Sequence, residues 1–239
     1  MIPRDYITAW RQQAPWVQDV HVEQDLVISR ALVEIFSDPV LRDALAFRGG
    51  TALYKLHLRP AARYSEDIDL VHTKPEPAGS MMDAVRRVLD PWLGQPTWKQ
   101  TEGRVTFAVS SDWFDGACEI QSYELDELLG TKLRALYQRK WGRDLFDLSH
   151  ALAHASADPA RVVHAFSAYM THEGHRVTRA QFEENVARKL RDPVFRADIS
   201  PLLAADVSWD LDAAATVVLS RLVALLPGDP WKAPHERRQ

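Results

Sequence analysis

The alternation of apolar and polar residues that marks β-strands stops near residue 125 of this chain, and only helical spacing follows it. Before that point, the sequence predicts a helix within the first forty residues and short strands at 45–47, 68–71, 105–109 and 117–121, the last two forming a hairpin. After it, helical patterns occupy residues 128–139, 145–154, 160–170, 179–190 and 211–226. The sequence therefore predicts an α+β chain with a mixed α/β unit at residues 1–125 and an all-helical unit at residues 126–239.

Composition and charge exclude several classes of protein. The 239 residues are 46% hydrophobic and 26% charged, which excludes a collagen, a disulfide scaffold and a disordered tail. The net charge of −4 means that any nucleic-acid site must be a local patch. The single cysteine, Cys118, fits a reducing compartment, and the N-terminus lacks the pattern of a signal peptide. The longest apolar stretch, residues 213–226, is too short to span a bilayer, so we expect a cytoplasmic protein with no membrane partner.

A pair of glycines follows the first predicted strand. Residues 45–47 lead into Gly49-Gly50-Thr51, and helical spacing resumes at residues 52–58. Backbone N–H groups at the start of a helix can donate to phosphate oxygens, and the Thr51 hydroxyl is a further donor. A glycine pair is also common in ordinary tight turns, so the phosphate interpretation depends on what accompanies it.

Two carboxylates accompany it on the next predicted strand. Asp67 and Asp69 are two residues apart, so in a strand they point to the same face. Hard oxygen ligands at this spacing suit Mg²⁺, and a pair of such ions can support phosphoryl or nucleotidyl transfer. Glu119, flanked by apolar residues on a later predicted strand, either completes a carboxylate triad or faces solvent. The alternative for Asp67 and Asp69 is a solvated strand end.

A run of five cations without an acidic residue begins in the first helix of the helical half; its members are Lys132, Arg134, Arg139, Lys140 and Arg143. At 100° per residue, Lys132 and Arg139 lie about 20° apart on one helical face, so both could reach the same triphosphate. A solvated basic face is the ordinary alternative.

The next segment contains two candidate aspartates. Gly142 is expected to interrupt the helix, and Asp144 could then cap a helix that begins at Leu145. Helical phase instead favours Asp147 as the aspartate near Lys132, so both remain candidates.

Four segments in this order, FRGGTALYKL, RYSEDIDLV, TKLRALYQR and GRDLFDL, resemble the AbiEii/AbiGii nucleotidyltransferase toxins of type IV toxin–antitoxin and abortive-infection systems, including the mycobacterial MenT-like group. These toxins fall in the DNA polymerase β-type nucleotidyltransferase superfamily, and the resemblance covers residues 22–152. The chain departs from the family in two ways: threonine replaces the serine of its Gly-Ser motif, and fifteen residues separate Thr51 from Asp67, more than is usual.

The resemblance implies a minimal polymerase β-like core with a mixed sheet, followed by a helical half. It implies transfer of an NMP group from an NTP to the 3′ end of tRNA with two Mg²⁺ ions, which blocks translation, and a cognate antitoxin as partner. The implied catalytic residues are Asp67, Asp69, Glu119, Lys132 and one of Asp144 and Asp147, the first three also being metal ligands. The implied nucleotide-binding residues are Gly49, Gly50, Thr51, Ser65, Lys132 and Arg139, and the expected RNA-binding residues are Arg134, Lys140 and Arg143.

The sequence leaves two alternative functions open. In the first, the acceptor is a protein side chain that is nucleotidylated or phosphorylated. In the second, the fold is a binding module without catalysis, although such a module would not need three carboxylates.

Overall fold

The computed structural model describes residues 2–75, 78–94, 97–101, 104–108, 120 and 122–232. Contacts divide the chain into two compact units, Met1–Ala52 with Arg63–Ser122, and Leu53–Ala62 with Tyr123–Gln239. The short segment Leu53–Ala62 thus belongs to the helical unit, although the sequence places it in the α/β half. Its apolar side chains explain this, since Leu53, Tyr54 and Leu58 are buried in the core of the second unit. The predicted division into domains at residue 125 stays a prediction.

The first unit combines helices with two small antiparallel sheets. Its helices are α1 (Arg4–Trp10), α2 (Asp19–Ser37), α3 (Pro39–Ala44), α4 (Gly49–Ala52) and α5 (Ala78–Leu93), and its strands are β1 (Leu45–Arg48), β2 (Asp69–His72), β3 (Thr97–Thr101) and β4 (Arg104–Ala108). Strand β1 pairs with β2, and β3 pairs with β4. A parallel bridge joins Phe47 to Ser122, whose hydroxyl donates to the Phe47 carbonyl at 2.6 Å. The α+β class is therefore confirmed.

The strands agree only in part with the sequence prediction. β1 and β2 lie where strands are predicted at 45–47 and 68–71, and β4 lies where one is predicted at 105–109. Strand β4 pairs with β3, a segment that the sequence pattern does not predict as a strand. The predicted partner strand at 117–121 lies outside the described residues except for Ile120.

Apolar side chains recur at helical spacing along α2, so one face of this helix is buried in the first unit. Leu26, Ile35 and Phe36 are among its buried residues. The Phe36 ring packs against that of Phe47, with 6.5 Å between centroids, so α2 supports strand β1. The helix predicted in the first forty residues is thereby confirmed, and it supports the strand that leads into the glycine pair.

The second unit is a bundle of helices around one hydrophobic core. Its helices are α6 (Leu125–Gln138), α7 (Gly142–His154), α8 (Pro159–His172), α9 (Arg179–Lys189), α10 (Pro193–Ala197) and α11 (Leu211–Arg221). Helices α6 and α8 approach closely at Gly130, where an added Cβ would lie 2.6 Å from the Cβ of Ala165 and 3.0 Å from the backbone nitrogen of Phe166. Gly130 therefore sets the distance at which α6, the helix that carries Lys132, packs.

The apolar stretch at residues 213–226 lies in α11 and a following 3₁₀ turn, Val223–Leu225. Val218, Leu222 and Val223 are buried in the core of the second unit. Across the part of the chain that the structure describes, no helix is both long and apolar enough to cross a membrane.

Candidate active site

The glycine pair lies against one of the three predicted metal ligands, Asp69. Gly49 has a φ of +84°, a conformation that L side chains rarely adopt. An added Cβ there would lie 2.0 Å from Oδ2 of Asp69 and 2.9 Å from its Cγ. The carboxylate thus lies directly against the Gly49 backbone, next to the position where Asp69 pairs with Arg48 across β1 and β2. Gly49 is needed both for the turn and for the space that Asp69 occupies.

Gly49→Ala is expected to displace Asp69 and to lower the free energy of unfolding by about 1–2 kcal/mol, because alanine is strained at this φ and its Cβ overlaps the carboxylate. Nucleotide transfer should fall more than stability does. The matched control is Gly79→Ala in α5, where an added Cβ meets nothing within 4 Å and alanine favours the helix. Chemical unfolding and labelled-NMP incorporation measure the two effects. Wild-type transfer in Gly49→Ala would show that the position of Asp69 does not matter.

Thr51 and Ser65 connect the glycine turn to the aspartate pair. The buried Thr51 hydroxyl lies 2.5 Å from the backbone carbonyl oxygen of Asp67, to which it donates, and 2.9 Å from the Ser65 hydroxyl. The sequence predicts that this hydroxyl donates to phosphate. In the structure it donates to the Asp67 carbonyl and holds the backbone of Asp67, and nucleotide binding by Thr51 stays a prediction.

Asp67 and Asp69 present an exposed pair of hard oxygen donors. Both residues are exposed; Asp69 begins strand β2, and Asp67 precedes it. Carboxylate oxygens are the donors that Mg²⁺ prefers, so the pair fits this ion. Among the described residues, no group of three or more His, Cys, Asp and Glu side chains could hold a metal ion. The third predicted ligand, Glu119, lies outside the described residues.

The second unit contains a buried ionic network centred on Lys132. The Nζ of Lys132 lies 2.9 Å from Oδ2 of Asp147 and 3.5 Å from Oδ1 of Asp144. The side chains of both aspartates are 0% exposed and that of Lys132 is 8% exposed. Arg139 binds Asp144 in bidentate fashion at 2.7 and 2.8 Å, and the Tyr54 hydroxyl donates to Oδ1 of Asp147 at 2.9 Å. Two buried carboxylates are thus balanced by one ammonium and one guanidinium.

Local helix geometry explains how this network forms. Asp144 and Asp147 are three residues apart on α7, so they share one face of that helix. The expected cap at Asp144 is wrong, because α7 begins at Gly142 with Trp141 as its N-cap residue and Asp144 lies in the first turn. The prediction that Asp147 lies near Lys132 is confirmed. Both candidate aspartates contact Lys132.

Lys132 and Arg139 do not share the outward helical face that their spacing predicts. Helix α6 ends at Gln138, and Arg139 has extended backbone angles of φ −121° and ψ 170°. The two cations meet at Asp144 instead, and the ammonium of Lys132 is held between two carboxylates. Contact between Lys132 and a triphosphate stays a prediction, and in this structure the residue organises the network.

The cations predicted to bind RNA are paired with acidic residues from elsewhere in the chain. Arg134 pairs with Glu173 at 2.7 Å, Lys140 with Asp192 at 3.6 Å and Arg143 with Asp198 at 3.0 Å. Because each of the three cations already has an acidic partner, they do not form an unpaired basic patch. Their role in RNA binding stays a prediction. Arg63, another basic residue close to Asp67 in sequence, is buried and is not a surface contact.

Two further residues, Tyr54 and Lys189, support the network, although no sequence pattern marks them. Tyr54 lies within FRGGTALYKL, but only the fold shows that its hydroxyl reaches Asp147. The buried ammonium of Lys189 donates to the carbonyl oxygens of Leu136 and Tyr137 at the end of α6, the latter at 2.9 Å. Burial lowers the pKa of Lys189 to about 8, while the nearby charge of Asp144 acts in the opposite direction. Lys189 thereby holds the end of α6 just before Arg139.

The family model described as the nucleotidyl transferase AbiEii toxin of a type IV toxin–antitoxin system matches residues 30–108 and 100–217. A match of this extent defines the class of protein, a nucleotidyltransferase enzyme. The chain belongs to the AbiEii family of toxins of type IV toxin–antitoxin systems, as its four sequence segments indicate.

Solved structures agree on the fold. The chain is similar to MenT4, a nucleotidyltransferase toxin from Mycobacterium tuberculosis H37Rv, with a TM-score of 0.61 and 18% sequence identity over 99% of this chain and 92% of that chain. At this identity the similarity establishes a common fold. No curated protein matches the sequence.

Proposed function

We propose that this enzyme transfers the NMP group of an NTP to the 3′ end of tRNA with the help of two Mg²⁺ ions, and that the modified tRNA no longer supports translation. The carboxylate of Asp69, exposed and seated against Gly49, is the observation that carries the proposal. A glycine with positive φ at this point serves to place a charged oxygen donor where a substrate can reach it. Because the protein belongs to a family of toxins of toxin–antitoxin systems, we expect it to have a cognate antitoxin.

In this proposal, Asp67 and Asp69 hold the metal ions, with Glu119 as the third ligand. Bound there, Mg²⁺ would polarise the α-phosphate and favour ionisation of the acceptor hydroxyl. The hydroxyl oxygen forms a bond to the α-phosphorus, the bond to pyrophosphate breaks, and the hydroxyl proton goes to a base, for which Glu119 is our candidate. Thr51 keeps Asp67 in place through its backbone carbonyl.

We assign phosphate contact in the second unit to Arg139. Its side chain is 49% exposed although its guanidinium is bound to Asp144, and the planar guanidinium matches the geometry of phosphate oxygens. Asp144 fixes the plane of this guanidinium, and Lys132 contacts both Asp144 and Asp147. The network thus holds Arg139 in one orientation before substrate binds.

Incubation with each α-labelled NTP, Mg²⁺ and total tRNA tests the proposal. We expect label in tRNA with at least one NTP, and loss of labelling with EDTA. Transfer to the 3′ end predicts that tRNA whose terminal ribose has been oxidised with periodate accepts no label, because its 3′ hydroxyl is gone. Label on protein in place of RNA would replace the tRNA acceptor by a protein side chain. Absence of transfer to either would favour the binding-module alternative.

A further inference from the structure

An exposed tryptophan lies beside the ionic network, at the start of α7. Trp141 is 44% exposed, and the guanidinium carbon of Arg143 lies 4.7 Å from the centroid of its ring. A guanidinium over an indole face is a cation–π contact, so one side of the ring is supported by a positive charge.

The segment that carries Trp141 is held rigidly. Both the backbone N–H and the guanidinium of Arg143 bind the buried carboxylate of Asp198, at 2.9, 3.0 and 3.2 Å. At Gly142, an added Cβ would lie 2.3 Å from the backbone carbonyl oxygen of Phe195, so α7 begins in close contact with α10. The ring therefore loses little conformational freedom when a ligand covers it.

The residues before Trp141 are cations with accessible surface. The side chain of Lys140, which pairs with Asp192, is 65% exposed, and that of Arg139, which pairs with Asp144, is 49% exposed. An aromatic face next to exposed cations is the combination that binds single-stranded nucleic acid, since bases stack on the ring and phosphates lie near the charges. An isolated apolar ligand would gain nothing from these cations.

We propose that Trp141 binds an unpaired nucleobase of the RNA acceptor by stacking. This inference rests on the proposed function and adds a residue that contacts the acceptor. Arg143 is a positioning residue, because its guanidinium contacts one face of the Trp141 ring and is itself bound by the carboxylate of Asp198. The same chemistry could serve the base of the NTP, so the experiment separates the two sources.

The test is equilibrium binding of a fluorescent single-stranded RNA hexanucleotide, measured without NTP. Trp141→Ala should weaken RNA binding about tenfold, and Trp141→Phe should retain most of it, because phenylalanine keeps a ring on which a base can stack. NTP binding, measured separately, should not change. The control is Leu225→Ala, an exposed apolar residue of the same unit, 52% exposed, which should bind RNA as the wild type does.

A second ligand distinguishes stacking from charge. An abasic oligomer of equal length keeps the phosphates and lacks the bases, so it should bind equally to wild type and Trp141→Ala. The proposal is overturned if Trp141→Ala binds RNA normally, if it weakens the abasic oligomer equally, or if only NTP binding is lost. The binding assay does not depend on nucleotide transfer. If RNA binding depends on Trp141 but the labelling assay shows no transfer, the proposed reaction is refuted and the stacking site stands.

Discussion

Replacing Lys132 by methionine is expected to lower the free energy of unfolding by about 3–5 kcal/mol and to abolish nucleotide transfer. The substitution removes the ammonium that lies 2.9 Å from Asp147 and 3.5 Å from Asp144, and both carboxylates are fully buried. Arg139 and Tyr54 remain as partners and the charge of Lys189 still acts on Asp144, but Asp147 loses the ammonium that balances it. From the sequence alone, Lys132→Ala is predicted to weaken NTP use and to leave the helix folded, because alanine is the best helix former. The burial of Lys132 adds the large loss of stability.

Urea unfolding and label incorporation measure these two effects. Lys140→Met is the stability control, since Lys140 belongs to the same run of cations but is 65% exposed, and its loss should change the free energy of unfolding by less than about 0.5 kcal/mol. The double variant Lys132→Met/Asp147→Asn should recover part of the stability, because it removes one of the buried charges. A Lys132→Met protein as stable as the wild type would contradict the importance of the buried network.

The second large effect is expected at Asp69. Asp69→Ala should reduce transfer by at least about a thousandfold, which corresponds to ~4 kcal/mol, because it removes a metal ligand at an exposed position. The free energy of unfolding should be unchanged, or should rise in the absence of Mg²⁺, because the repulsion between Asp67 and Asp69 is relieved. Initial rates of label incorporation and thermal melts with and without Mg²⁺ measure both quantities.

The control for Asp69 is Asp43→Ala, another exposed aspartate of the first unit, paired with Arg42 on helix α3. It should transfer nucleotide at the wild-type rate. Mg²⁺ should raise the melting temperature of the wild type and of Asp43→Ala more than that of Asp69→Ala, because a ligand stabilises only the state that binds it. Retained transfer in both Asp69→Ala and Asp67→Ala would end the two-metal proposal.

The class of the fold and the family could both be predicted from the sequence. Helical spacing located α2 and α6, and β-strand alternation located β1 and β2 on either side of the glycine turn. These features depend on short-range periodicity, which is visible in any single chain. The order of the four segments then indicated the nucleotidyltransferase toxins, and the match to the AbiEii family over residues 30–217 confirmed it.

Which charges are buried, and which partners they have, depends on how distant segments pack and could not be predicted from the sequence. The run of five cations contains no acidic residue in sequence, yet Glu173, Asp192 and Asp198 reach three of them from distant helices and loops. Thr51 has a phosphate-binding hydroxyl by analogy, yet packing directs it to the Asp67 carbonyl. The segment Leu53–Ala62 belongs to the helical unit because its apolar side chains are buried in the core of that unit. Residue type and spacing define which contacts are possible. Burial and pairing arise only when distant segments pack together. That packing determines whether a charge is exposed to a substrate or neutralised in the core.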